Sequence, residues 1–327
     1  MKKYKKVVLD RISYFRGELP KKMDDISEID LVEILSNTWA VSSFGAQYRV
    51  QKIIADNGIK KIKEAFKILL DTSIPPHKRY GKVLKMIKGL GPAAITEILA
   101  YIHPHECSLW NRKAREALDI LNISIIDTKK YKLKPQEYKT YNKLVKTIQE
   151  ELNFQKSKVE DIGLFFTDFF FFEVSQQGAK PEKPKDNDFD HDEIRDLTQD
   201  IGSMLGFEAD TEVQVAHGAR VDVVWSAKIG NLGIVNYVFE VHKAGSIDSL
   251  LMNLQKAKSN PTVQKVVAIS DETQLEKIKR ESEGLPEEFR RDLTFWPVEN
   301  VMKVHENLEL AMKTIDNLNL TPEPFRR

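Results

Sequence analysis

Ile234-Val235-Asn236-Tyr237-Val238-Phe239-Glu240-Val241-His242 is an apolar, β-branched and aromatic run that turns polar at its end. Such a composition predicts a β-strand over 234–242. A second run of the same kind lies upstream, Arg220-Val221-Asp222-Val223-Val224-Trp225, with one acidic residue inside it. A carboxylate in an apolar strand is costly to desolvate unless something compensates it, and a divalent cation shared by two such carboxylates would do so. Asp222 and Glu240 are therefore a candidate metal pair. Side chains alternate across a strand, so Glu240 and His242 share one face while Phe239 and Val241 take the other.

Working outward, a helix is expected from about 190 to 205, ended by Gly206, with strands near 211–216 and 220–226 before the 234–242 strand. A helix near 246–258, a strand at 264–269 and a helix near 272–283 follow, and residues 302–327 read as a helix and a frayed tail. The succession α-β-β-β-α-β-α predicts an α/β domain with a mixed central sheet. Upstream, residues 27–172 are mostly helical in pattern, with apolar positions every three or four residues, as in Ile59, Ile62, Phe66 and Leu69-Leu70. The phenylalanine run Phe169–Phe172 is too short for a membrane span and reads as a buried helix end. Residues 175–189 mix Gly, two prolines and charge without periodicity, which predicts a linker. The expected organisation is thus an all-helical domain over 1–174, a linker over 175–189, an α/β domain over 190–305 and a helix or tail over 306–327.

The 327 residues suffice for two domains, and a composition of 41% hydrophobic and 30% charged residues excludes disordered and membrane classes. No apolar run approaches the roughly 18 residues of a membrane span. The basic start, Met1 to Lys6, is followed by an apolar stretch broken at once by Asp10 and Arg11, so a cytoplasmic protein without a signal peptide is expected. A single cysteine, Cys107, excludes an intrachain disulfide framework and agrees with a reducing compartment. The net charge of +1 conceals an asymmetry: residues 1–150 carry 29 Lys+Arg against 17 Asp+Glu, and residues 151–327 carry 21 against 32. A basic module joined to an acidic one suits a nuclease, with phosphates held by the first and metal by the second. A solvated lysine-rich surface accounts for the same numbers.

The order of elements in residues 190–300, with Asp222 on the second strand and Glu240-Val241-His242 on the third, resembles the PD-(D/E)XK, or restriction-endonuclease-like, nuclease superfamily. In that family the strand acids and a Glu-x-Lys pair bind Mg2+ and orient water, and many members add a Glu from the first helix. The resemblance implies Asp222, Glu240 and Glu193 as ligands of Mg2+ or Mn2+. His242 stands where the family has lysine. Neutral imidazole can accept a proton near physiological pH but brings no permanent charge. Lys243 is next along the strand and points to the opposite face unless a bulge re-aims it. Gln255, on the helix that backs the site in relatives, could hydrogen-bond there or sit on a solvated helix face.

Ile87-Lys88-Gly89-Leu90-Gly91-Pro92-Ala93-Ala94 resembles a helix-hairpin-helix element, which reads Gly-x-Gly between two helices. Gly89 and Gly91 permit positive φ and close approach, and Pro92 is a favoured first helical residue. The resemblance implies DNA-backbone contact at this turn, assisted by Lys82, Lys85 and Lys88. A plain interhelical turn is the alternative. His103, His105 and Cys107 lack a second ligand pair at zinc-like spacing, so no metal is expected there.

These readings imply a metal-dependent DNA endonuclease, in restriction, defence or repair. The alternatives are a catalytically inactive nuclease fold that binds DNA and a protein-interaction subunit. DNA is the expected partner, a membrane is not, and a homodimer is open because nucleases that cut both strands often pair two identical sites.

Overall fold

The structure is a computed structural model that describes residues 2–41, 46–152, 162–177, 189–231 and 233–316. These form two compact units, one reaching residue 177 and the other starting at residue 189. Most of the expected linker, residues 178–188, and the expected tail, residues 317–327, lie outside the described residues.

The first unit is helical, with no strand among its described residues. Its helices are α1 (Lys2–Ser13), continued by a π-helical turn at Tyr14–Glu18 and by α2 (Leu19–Lys22), then α3 (Glu28–Ser36), α4 (Ala46–Asn57), α5 (Ile59–Leu70), α6 (Pro76–Met86), α7 (Pro92–Ile102), α8 (Arg112–Ile120), α9 (Pro135–Glu151) and α10 (Phe165–Gln177). Helix α7 is apolar on nearly every face and is the buried centre of this unit, as an all-round apolar helix must be. The phenylalanine run divides across α10, with Phe171 buried and Phe172 exposed.

One acid is buried in α7, and the surrounding groups satisfy it. Glu97 accepts the Trp39 and Ala40 backbone N–H groups at 2.6 and 2.9 Å and the Tyr101 hydroxyl at 2.8 Å, with Arg11 beside it at 3.4 Å. Four donors offset the desolvation that an isolated carboxylate would suffer there.

The second unit is an α/β sandwich around a five-stranded mixed sheet. In chain order it comprises α11 (His191–Met204), β1 (Glu208–Ala216), β2 (Ala219–Lys228), β3 (Ile234–Val241), α12 (Ile247–Lys258), β4 (Val263–Ser270), α13 (Glu272–Ser282), α14 (Glu287–Asp292), β5 (Leu293–Pro297) and α15 (Val298–Asp316). The strands lie in the order β1-β2-β3-β4-β5, antiparallel from β1 to β3 and parallel from β3 to β5. Helix α12 makes the crossover that a parallel β3–β4 pair requires.

Each sheet face buries its own core. Val224, Val238, Val266 and Ala268 pack with Leu250, Leu254, Leu275 and Phe289 of α12, α13 and α14. Val223, Trp225, Phe239 and Val267 pack with Ile194, Ile201 and Val301 of α11 and α15 on the other face. Gly202 sets the approach of α11, since a Cβ there would stand 2.4 Å from the Trp225 indole nitrogen. That nitrogen donates to the Thr198 carbonyl at 3.0 Å, one turn earlier on the same helix.

Two elements escaped the sequence pattern, α14 and the edge strand β5. Helix α15 also begins before residue 302 and crosses the expected boundary at 305/306, and its Val298 and Val301 are buried in the α11 core. No helix among the described residues is long and apolar enough to cross a membrane.

Candidate active site

The β1–β2 hairpin breaks its pleat at one level, and the site lies there. Ala219, Val221, Val223 and Trp225 should all face the same way along β2, yet the first two pack against α12 and the last two against α11. The switch falls at Asp222. Thr211 pairs with Val223 and Val213 with Val221, which places Glu212 opposite Asp222, and Glu212 has a left-handed backbone, φ +55°. The residue-by-residue pairing of β2 with β3 runs no further toward the hairpin than Val223 and Phe239.

Side-chain carboxylates satisfy the amides freed by this break. The Asp222 N–H donates to Glu240 Oε2 at 2.8 Å, and the Val241 N–H donates to Asp222 Oδ2 at 2.8 Å. Asn253 of α12 holds the other Glu240 oxygen, donating to Oε1 at 2.5 Å, and the same amide group donates to the Arg220 carbonyl at 2.7 Å. His191, the first residue of α11, brings Nε2 to 3.3 Å from Asp222 Oδ2.

The electrostatics follow from these contacts. Burial pushes the Glu240 carboxyl up from its ordinary value, and the neighbouring Asp222 charge pushes it the same way. Asp222 is buried too, but the His191 hydrogen bond and the Val241 N–H outweigh that and lower it. His191 is raised to about 10 by hydrogen bonds to Asp192 and Asp222. Of the two acids Glu240 is therefore the one that takes up a proton more readily, while the Asp222 carboxylate and the His191 imidazolium favour each other's charged form.

The other expected residues are placed as follows. His242, just past the end of β3, is buried and lines a pocket with Glu240, its backbone N–H donating to the Ile269 carbonyl at 2.7 Å, and burial lowers its imidazole so that it is neutral. Lys243 donates to the Phe189 carbonyl and lies over the Phe189 ring, away from Glu240. Glu193 is buried in the first turn of α11, where its N–H is capped by Asp190. Asp222 and Glu240 meet, each accepting an N–H from the other's strand, and among the described residues no group of three or more His, Cys, Asp or Glu side chains is arranged to hold a metal. Asn253, rather than Gln255, bonds Glu240.

His191 and Asn253 were not read from the sequence. A histidine inside the acidic first turn Asp190-His191-Asp192-Glu193 was the available signal for the first; for the second, a polar residue within an otherwise apolar helix face was only a faint one.

In the helical unit, α6 and α7 flank the Gly89-Leu90-Gly91 turn. Gly89 adopts φ +81°, whereas Gly91 is extended at φ −76° and needs its missing side chain for space, since a Cβ there would lie 2.8 Å from the Tyr131 hydroxyl. Asn57 of α4 pins the turn, accepting from the Lys88 N–H and donating to its carbonyl, both at 2.9 Å. Lys82, Lys85 and Lys88 are exposed, and Lys88 lies 3.9 Å from Asp56.

No protein-family model, no curated protein and no solved structure matches this chain.

Proposed function

We propose that the chain is a metal-dependent DNA endonuclease of the PD-(D/E)XK kind that hydrolyses phosphodiester bonds, in restriction, defence or repair. The observation that carries the reading is the meeting of Asp222 and Glu240 where β2 leaves β3, with both carboxylates held by backbone N–H groups.

Asp222 and Glu240 would hold Mg2+ or Mn2+. Their hard oxygen donors fit, since such ions are commonly bound through one or two carboxylates with waters and substrate phosphate completing the shell. An ion bound there would polarise the phosphoryl oxygen and lower the pKa of a water. Glu240 must release its proton to serve as a ligand, so metal affinity rises with pH. His242, neutral and lining a pocket with Glu240, orients the attacking water or takes its proton. Gln255 and Glu193 stand by as outer groups, on α12 and α11. In the basic helical unit, Lys82, Lys85, Lys88 and the Gly89–Gly91 turn contact DNA phosphates. Cutting both strands calls for a second copy of the site, hence a homodimer.

A second reading is a non-catalytic DNA-binding or protein-interaction subunit. One observation favours it: the His191 imidazolium already neutralises Asp222.

The test is cleavage of plasmid and single-stranded DNA with and without Mg2+ or Mn2+, alongside calorimetric titration of the metal. The nuclease reading expects metal-dependent cleavage that disappears in Asp222→Ala and Glu240→Ala. Cleavage that persists in both variants overturns it, and DNA binding without metal affinity supports the second reading.

A further inference from the structure

We propose that Lys256 grips the phosphate neighbouring the one that is cut, in the pocket between the end of β3 and α12. This rests on the nuclease reading above. The pocket has a volume of about 530 Å³, and Glu240, His242, Ser246, Asn253 and Lys256 are among its lining residues. That is the size range of pockets that enclose small ligands.

The need for a cation here follows from charge. A phosphodiester approaching Glu240 and Asp222 brings a negative charge to two acids, and the cation beside them, the His191 imidazolium, is already paired with Asp222, so the strand calls for further positive charge. His242 is neutral. The Lys243 ammonium is turned to the Phe189 carbonyl. Arg220 is bound to Glu212 at 2.5 Å, and Arg195 to Asp192 and Asp196 at 2.9 Å each.

Lys256 differs from all of these. It is the lysine or arginine in the pocket lining, it is exposed, and its ammonium makes no hydrogen bond or ion pair with a described residue. On α12 it stands three residues after Asn253, the residue that holds Glu240, so the two are neighbours on one helix face, about 5–6 Å apart at Cβ. Long helical side chains lean toward the helix N-terminus, which here is toward Asn253. Across the pocket the β1–β2 turn presents Gly218, and the ammonium lies 3.8 Å from where a Cβ at that position would be. The turn leaves that side of the ammonium uncovered. Glu240 and Lys256 line the same pocket, so a nucleic-acid strand lying in it with one phosphate at Glu240 would bring a neighbouring phosphate to Lys256.

The experiment uses the full chain, Mg2+ and an oligonucleotide substrate, with Lys256→Met, Lys256→Arg and the exposed Lys277→Met as a control outside the pocket. A charged contact of this kind makes kcat/KM fall about 10- to 100-fold in Lys256→Met, with kcat at saturation and Mn2+ affinity unchanged. Lys256→Arg recovers most of the loss, and Lys277→Met behaves as the unaltered chain. A neutral methylphosphonate at the phosphate next to the cut erases the difference between Lys256→Met and the unaltered chain. Unchanged kcat/KM in Lys256→Met, or a fall in Mn2+ affinity matching that of Glu240→Gln, overturns the proposal while leaving the nuclease reading intact. An unaltered chain that neither cleaves nor binds Mn2+ removes both.

Discussion

Asp222 and Glu240 are cross-linked through each other's strands: the Asp222 amide donates to the Glu240 carboxylate, and the amide following Glu240 donates to the Asp222 carboxylate, each at 2.8 Å. The two acids thus continue the β2–β3 ladder past its last residue pairing, Val223 with Phe239. Their structural work needs only acceptor oxygens. Metal chemistry needs their negative charge, so the two roles can be separated by substitution.

Asp222→Asn and Glu240→Gln keep an oxygen acceptor and remove the charge. Glu240→Gln is expected to fold with stability within about 1 kcal/mol of the unaltered chain, because burial and Asp222 already disfavour the Glu240 charge, and Asp222→Asn to lose somewhat more, because it also strands the His191 imidazolium. Asp222→Ala and Glu240→Ala orphan the Val241 and Asp222 amides and should each lose about 1–3 kcal/mol. All four should lose Mn2+ affinity. Urea unfolding and calorimetry read the two effects separately, and equal destabilisation by amide and alanine would contradict the ladder account.

Asn253 donates to Glu240 and to the Arg220 carbonyl with a single amide nitrogen. Asn253→Asp removes both donations and places a third carboxylate beside an acid already pushed up by burial and by Asp222. Metal-free protein should be less stable by about 2–4 kcal/mol. Mg2+ should raise the thermal midpoint of this variant more than that of the unaltered chain, since a cation relieves the added repulsion. A midpoint insensitive to Mg2+ in both proteins would count against a cation at this place.

The strand 234–241 was legible because β-branched and aromatic residues crowd it, and the helices on either side because their apolar positions recur at helical spacing. Asp222 and Glu240 were legible as a pair for an energetic reason: acids in apolar strands are expensive. His191 was not, because its role depends on where the first turn of α11 lands over β2, a tertiary distance with no local signature. Asn253 depends in the same way on the α12 crossover. Strand β5, Leu293-Thr-Phe-Trp-Pro, is five residues ending in proline, too short to display a period, and only its parallel pairing with β4 makes it a strand. The Gly-x-Gly turn was legible, yet its two glycines serve different ends, one a left-handed backbone and the other clearance for Tyr131.

Gly202→Ala tests the packing that carries α11 to the sheet. The added methyl would stand 2.4 Å from the Trp225 nitrogen, in a core where the indole is also held by Thr198 and stacked near Phe207. Overpacking of this kind should cost about 1–3 kcal/mol even though alanine is the better helix former. Because α11 also carries His191, DNA cleavage should fall with stability. A thermal midpoint at or above that of the unaltered chain would show that the helix can shift freely.

Lys82, Lys85 and Lys88 offer exposed charge beside the Gly89 turn. Replacing all three by Gln should weaken DNA binding uniformly across sequences and lower the slope of log K against log salt by about 2 to 3. The slope is measured by fluorescence anisotropy over a salt series. An unchanged slope would assign this turn to helix packing alone.

Asp168 gives the helical unit a pH dependence of known sign. It is buried in α10, accepting the Tyr4 hydroxyl at 3.0 Å, and burial raises its carboxyl to about 7. The unfolded chain titrates the same group near 4. A folded pKa raised in this way gives stability that is fully present below about pH 4 and is lost as pH rises through about 7, by up to roughly 4 kcal/mol. Asp168→Asn keeps an oxygen for Tyr4 and cannot ionise. It should match the unaltered chain at pH 4 and be the more stable protein at pH 8. Glu97, also raised by burial, helps raise Asp168, so part of the difference between the two proteins passes through it without changing its sign. Urea unfolding at the two pH values measures this, and parallel stability curves for the two chains would mean that Asp168 is solvated or paired with a cation when folded.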